Sequence, residues 1–174
     1  MNVSQASVET ELKLLVPPRS IGRLGAHPLL RGRGHAARQR LYSVYFDTPK
    51  LDLWRQGVAL RLRREGKRWV QTVKGSGTVH GGLHRRIEAE SEVAGPVPDF
   101  SRIRDRELAA TFASRRLRAQ LKPVFTADFI RHSTILDLDA DTRVEASVDH
   151  GVIRSGRRAE GVSELELELK KGAP

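Results

Sequence analysis

Residues 8–16 read Val8-Glu9-Thr10-Glu11-Leu12-Lys13-Leu14-Leu15-Val16, with a charge at every second position from Glu9 to Lys13. In a strand, successive side chains point to opposite faces. Glu9, Glu11 and Lys13 therefore line one side, and Val8, Leu12, Leu14 and Val16 line the other. An ordinary half-buried strand shows the same alternation with its polar side in water. The chain repeats the pattern in Leu60-Arg61-Leu62-Arg63, in Arg86-Ile87-Glu88-Ala89-Glu90 and in Glu164-Leu165-Glu166-Leu167-Glu168. One such strand is a solvated face. Four of them, carrying both signs, point to a charged interior that holds a charged ligand.

Outward from this stretch, the pattern predicts strands over 8–16, 41–47, 58–65, 68–74, 84–93, 123–137, 142–149, 151–155 and 162–170. Ser20 is placed to cap a short helix reaching Ala26. Residues 27–41 read as an Arg- and Gly-rich mobile loop, and 51–57 as a helical turn closed by Gly57. Glu65-Gly66-Lys67 is a hairpin signal, and 75–82 reads as a flexible connection. Ser101 precedes a predicted helix over 102–120, whose apolar stripe is Ile103, Leu108, Phe112 and Leu117. Asp139-Ala140-Asp141 and Asp149-His150-Gly151 read as turns. The sum is roughly eight strands with one substantial helix, mostly sequential neighbours. A meander of that length removes its edges by closing into a barrel.

At 174 residues the chain is long enough for one domain with its own core. No run of about eighteen apolar residues is present, so no helical membrane span is expected. The chain has no cysteine, hence no disulfide framework and no thiolate metal site, and the expected compartment is the cytoplasm. Thirty-one Lys and Arg against 21 Asp and Glu give a net charge of +10, which favours polyanionic partners. Aromatics are only 5%, too few for base-stacking platforms, so nucleic acid is not an expected partner.

Three acidic pairs, Glu9 with Glu11, Glu88 with Glu90 and Glu164 with Glu166, each put two carboxylates about 6.5–7 Å apart on one strand face. Oxygen ligands of this kind suit Mg²⁺ or Mn²⁺, which keep waters and share a substrate's phosphates. Lys13, Arg61, Arg63, Lys74, Arg86 and Arg131 supply cations at strand period. Together these suit a triphosphate, whose chemistry is largely positioning and charge neutralisation. Unpaired, such an interior would be costly if dry, so a water-filled tunnel is expected. The six histidines lack metal-ligand spacing, and Gly75-Ser76-Gly77 lacks the Lys-Ser/Thr of a phosphate loop. Arg115-Arg116-Leu117-Arg118 reads as a solvated helix face.

The ordered set resembles the CYTH superfamily, the triphosphate tunnel metalloenzymes. The resemblance rests on Glu9-x-Glu11-x-Lys13, Tyr45-Phe46-Asp47-Thr48-Pro49, Leu60-Arg61-Leu62-Arg63-Arg64-Glu65-Gly66 and Gln71-Thr72-Val73-Lys74-Gly75. Gly81 to Arg86, Pro123 to Arg131, Val144-Glu145 to Gly151 and Glu164 to Leu169 extend it over nearly the whole chain. The chain is most similar to the bacterial inorganic triphosphatase branch, whose members often carry a helical CHAD domain after the CYTH part. The resemblance implies a mainly-β α+β fold, a closed antiparallel eight-stranded β-barrel tunnel with a few flanking helices. It implies one domain over residues 1–174, either whole or as the N-terminal part of a longer CYTH–CHAD protein.

The implied activity is divalent-metal-dependent hydrolysis of inorganic triphosphate to pyrophosphate and phosphate, with Mg²⁺ or Mn²⁺ as cofactor. Carried over by motif, Glu9, Glu11, Asp149, Glu164 and Glu166 are expected at metal. Lys13, Arg61, Arg63, Lys74 and Arg131 are expected to hold substrate, with Lys13, Glu88 and Glu90 at the reacting groups. Glu168 continues the acidic stripe, so which two of Glu164, Glu166 and Glu168 bind metal stays open. Strict alternation puts Arg131 on the face of Phe125, Ala127 and Phe129, so a bulge is expected wherever Arg131 enters a polar tunnel. The competing readings are a non-catalytic polyphosphate-binding module and a hydrolase or cyclase acting on thiamine triphosphate or ATP.

Overall fold

The computed structural model describes residues 6–31 and 37–173. Eight antiparallel strands close into a barrel: β1 (Ser7–Leu15), β2 (Ala37–Asp47), β3 (Ala59–Glu65), β4 (Arg68–His80), β5 (Leu83–Val93), β6 (Lys122–Asp137), β7 (Arg143–Ser155) and β8 (Arg158–Lys171). Their order around the barrel is β1-β5-β4-β3-β2-β6-β7-β8, with β8 paired back to β1. The meander is therefore broken. Two runs of hairpins, β2 to β5 and β6 to β8, are joined through β2–β6, and β1 is the stave inserted between β5 and β8.

The apolar core lies outside the barrel. Leu60 and Leu62 of β3, Val73 of β4 and Ala89 and Val93 of β5 are buried on the outer wall. They pack with Ile103, Leu108 and Phe112, which belong to the segment covering that wall. The helix expected over 102–120 is three short pieces: a 3₁₀ turn at Phe100–Arg102, α4 at Arg106–Thr111 and α5 at Arg115–Gln120. (The three short helices before them in the chain are α1, Ile21–Gly25; α2, Pro28–Arg31; and α3, Asp52–Arg55.) Each later piece has its own N-cap. Asp105 accepts from the Leu108 N–H at 2.9 Å, and Ser114 from the Leu117 N–H at 3.3 Å. A capping side chain offers the backbone an alternative to continuing the helix, and here it restarts the chain twice.

Three further expectations are corrected. Within 27–41, α2 and the start of β2 replace the loop at both ends, and 32–36 lies outside the described residues. Residues 75–80 continue β4 across a register shift between Lys74 and Gly77. A Cβ on Gly77 would stand 2.2 Å from the Arg85 carbonyl oxygen, so this glycine serves close strand approach. Residues 149–151 lie inside one continuous strand, β7, where they pair without a break to β6 and β8, and Gly151 leaves room there for Phe129 and the Asp128 carbonyl. The turn at 139–141 is present: the Asp139 carboxylate accepts from the Asp141 and Thr142 N–H groups at 2.8 and 2.7 Å.

The corner before β3 is fixed by one buried carboxylate. Asp47 accepts from the N–H groups of Thr48, Leu53 and Trp54 at 2.7, 2.9 and 3.0 Å, which ties down α3. Gly57, at φ 69°, then turns the chain into β3. This corner sets which face of β3 looks inward.

Candidate active site

The inward face of every strand opens on one cavity of about 650 Å³. β1 contributes Glu9, Glu11 and Lys13; β3, Arg61 and Arg63; β4, Thr72 and Lys74; and β5, Arg86, Glu88 and Glu90. Arg131 of β6, Asp149 of β7 and Glu166 and Glu168 of β8 complete the ring. Glu164 is the one expected site residue outside this lining. It stands beside Lys13, with its Oε2 3.7 Å from Nζ.

Arg131 enters without a bulge. β6 pairs with β7 in unbroken register from Thr126 to Asp137, and Ala127, Phe129, Arg131 and Ser133 share the inner face. The tunnel is not uniformly polar. Leu41, Tyr45, Ala59, Ala127 and Phe129 give it an apolar flank on β2, β3 and β6.

Each cation in the tunnel is held by carboxylates. Lys74 Nζ donates to both oxygens of Glu9 at 2.9 and 2.8 Å and lies 2.9 Å from Glu88 Oε2. Arg86 Nη2 donates to Glu11 Oε1 at 2.9 Å. Lys13 donates to Glu166, its register partner on β8. Arg131 donates in a fork to Asp149, at 2.8 and 2.5 Å, and also to Glu166. Arg63 is gripped by Glu65 Oε1 at 2.9 and 2.8 Å. Arg61 Nη2 donates to the Thr72 hydroxyl at 2.9 Å, and that hydroxyl donates to Glu90 Oε1 at 2.9 Å. The buried Arg61 Nε has no partner.

These pairings move the titrations. Burial alone would raise Glu166, but Arg131 and Lys13 outweigh it and hold the carboxyl at about 2. Burial also opposes the charge of Glu9, yet a hydrogen bond shared with Glu88 and the ammonium of Lys74 bring it down to about 2. Glu88 takes the other half of that bargain: burial and the Glu9 hydrogen bond push it up to about 7, against Lys74. Glu164 is raised by burial, with Lys13 opposing. Burial would discharge Lys13, but Glu166, Glu11 and Glu164 raise it instead. Arg63 is lowered by burial and by Arg61.

The cavity lining carries seven basic side chains (Lys13, Arg61, Arg63, Lys74, Arg86, Arg131, Lys170). Nine acidic ones face them (Glu9, Glu11, Glu65, Glu88, Glu90, Glu145, Asp149, Glu166, Glu168). The lining is thus net acidic, so it is not the source of the chain's +10. The donor chemistry fits a hard divalent cation: carboxylate oxygens converge from β1, β5 and β8, and Glu9 and Glu88 touch. No group of three or more His, Cys, Asp or Glu forms a ready metal cage among the described residues. One or two carboxylates completed by substrate oxygens and waters is the coordination such a lining can offer.

Sequence reasoning missed Thr72, Glu65, Tyr45, Glu145 and Lys170, all of which face the cavity. The signal was available for most of them. Thr72 is two residues from Lys74, Glu65 two from Arg63, and Lys170 two from Glu168, so extending the period would have found them.

The CYTH domain profile matches residues 7–174. Over 167 residues the chain is 30% identical to an inorganic triphosphatase of Haemophilus influenzae, an alignment covering 94% of this chain and 46% of that protein. The chain thus spans about half the length of that relative. Its fold is similar to that of a Hippeastrum protein, a candidate adenylyl cyclase with a dominant triphosphatase activity. For that pair the TM-score is 0.69 at 19% identity, covering 94% of this chain and 80% of the other. A candidate adenylate cyclase from Bacillus halodurans gives 0.61 at 22% identity, covering 94% and 81%. With these matches and the charged barrel interior together, the chain belongs to the CYTH family.

Proposed function

We propose that this domain hydrolyses inorganic triphosphate to pyrophosphate and phosphate in its tunnel, with Mg²⁺ or Mn²⁺. The observation that carries the reading is the barrel cavity in which seven cations and nine carboxylates from β1 and β3 to β8 face one another. The 30% identity to an inorganic triphosphatase supports it.

Arg61, Arg63, Lys13, Lys74 and Arg131 hold the phosphate oxygens, with forked guanidiniums suited to two oxygens at once. Arg61 Nε, buried without a partner, is a donor that a phosphate oxygen would satisfy. One or two of Glu9, Glu11 and Glu166 would hold the divalent ion together with substrate oxygens and waters, with Asp149 and Glu164 behind them. When bound, that ion neutralises phosphate charge and makes a bound water more acidic. Glu88 and Glu90 orient the attacking water and accept its proton. Water oxygen bonds to the terminal phosphorus, the bridging P–O bond breaks, and its electron pair leaves on pyrophosphate. No covalent enzyme intermediate is required.

The test is phosphate release from tripolyphosphate, ATP, thiamine triphosphate and longer polyphosphate, with Mg²⁺ and Mn²⁺ compared. Tripolyphosphate is expected to turn over fastest, and Glu11→Gln to abolish release while the circular-dichroism spectrum stays native. Normal release by that variant overturns the assignment. Tight polyphosphate binding without any release would make the domain a binding module instead.

A further inference from the structure

The cations expected to hold phosphate and the carboxylates expected to hold metal are bonded to each other in the ligand-free tunnel. The arrangement is tightest at Lys74. Its ammonium lies between Glu9 and Glu88, 2.8–2.9 Å from oxygens of each. Those two carboxyls in turn touch one another. A single positive charge thus bridges a close acidic pair, a position that a cation with oxygen ligands would also fill.

We propose that Lys74 is an internal counter-cation that occupies the Glu9–Glu88 position at rest. It exchanges partners on loading, giving up Glu9 to a divalent ion and Glu88 to the attacking water, and taking phosphate oxygen. The inference rests on the metal-dependent reading above and adds a thermodynamic consequence to it. Metal arriving alone must displace an ammonium that then has no new partner. Triphosphate arriving alone must pull that ammonium from two buried carboxylates and leave them facing each other. Each ligand supplies the partner that the other strands, so the two bind with positive coupling. Arg131, bonded to Asp149 and Glu166, repeats the arrangement on the opposite wall.

Removing Lys74 should therefore open the site to metal. Mn²⁺ binding, without triphosphate, is measured by electron paramagnetic resonance at pH 8 on wild type, Lys74→Met and Lys74→Gln. Thermal melts confirm that each variant is folded. Arg63→Met is the charge control. It removes one positive charge from the same tunnel and releases Glu65 Oε1, but it leaves Lys74 paired with Glu9 and Glu88. The expected result is Mn²⁺ affinity at least fivefold tighter in both Lys74 variants and within twofold of wild type in Arg63→Met. Unchanged or weaker affinity in the Lys74 variants overturns the exchange. Equal tightening in Arg63→Met also overturns it, because net charge would then suffice. These outcomes, with wild-type phosphate release intact, leave the hydrolase reading standing. A wild-type protein that neither binds Mn²⁺ beside triphosphate nor releases phosphate removes both.

Discussion

Arg131 and Asp149 stand opposite each other on β6 and β7 and are joined by two hydrogen bonds, with Asp149 wholly buried behind the guanidinium. Both Asp149 oxygens are committed to Arg131, so the first effect of Asp149 is to aim that fork into the tunnel. Asp149→Asn should destabilise the protein by roughly 2 kcal/mol, since a half-buried guanidinium loses its charged partner. It should also raise KM for tripolyphosphate. Urea denaturation reads the first effect and steady-state kinetics the second. A double-mutant cycle with Arg131→Met should show coupling of about 1–3 kcal/mol.

Thr72 joins Arg61 to Glu90 through one fully buried hydroxyl. Thr72→Val keeps the shape and removes both bonds. The expected loss in kcat/KM is roughly tenfold, the cost of about one hydrogen bond to a charged group. Thr72→Ser should restore most of it, which a packing defect would not allow.

Metal-free stability should pass through a maximum in mildly acid solution. Glu9 and Glu166, at about 2 in the fold against an ordinary 4.5, contribute stability above pH 4.5 that is lost as pH falls toward 2. Glu88, at about 7, works the other way. It costs stability above pH 7, and the cost lifts as pH falls from 7 toward 4.5. Chemical denaturation in EDTA across pH 3–9 should therefore peak near pH 5. A curve rising steadily to pH 8 would contradict the Glu88 environment.

Leu62 is fully buried on the outer wall of β3, between the tunnel residues Arg61 and Arg63. Leu62→Ala should cost about 2–4 kcal/mol and leave KM near wild type at temperatures where the variant is folded. Guanidinium titration and kinetics on one sample measure both.

The strand faces were legible because a period of two is a local property: Glu9, Glu11 and Lys13 announce their side whatever they meet across the barrel. The partners were not legible. That Lys13 meets Glu166, 153 residues away, depends on β1 lying between β5 and β8. No feature of residues 8–16 selects those neighbours. Gly77 and Gly151 misled for a related reason. Glycine marks both turns and close strand approach, and only the neighbouring chain, Arg85 or Phe129, tells them apart. The helix over 102–120 failed locally, because Asp105 and Ser114 are as good at starting a helix as interrupting one.

With the apolar core outside and the reactive groups inside, each strand of β3, β4 and β5 carries two kinds of information on alternate residues. A saturation-mutagenesis map of this domain should beat with a period of two. Cellular abundance should fall at Leu60, Leu62, Val73 and Ala89, and turnover should fall at Arg61, Arg63, Lys74 and Glu88. Substrate preference in such a barrel can drift through the inner set while the outer set keeps the chain folded.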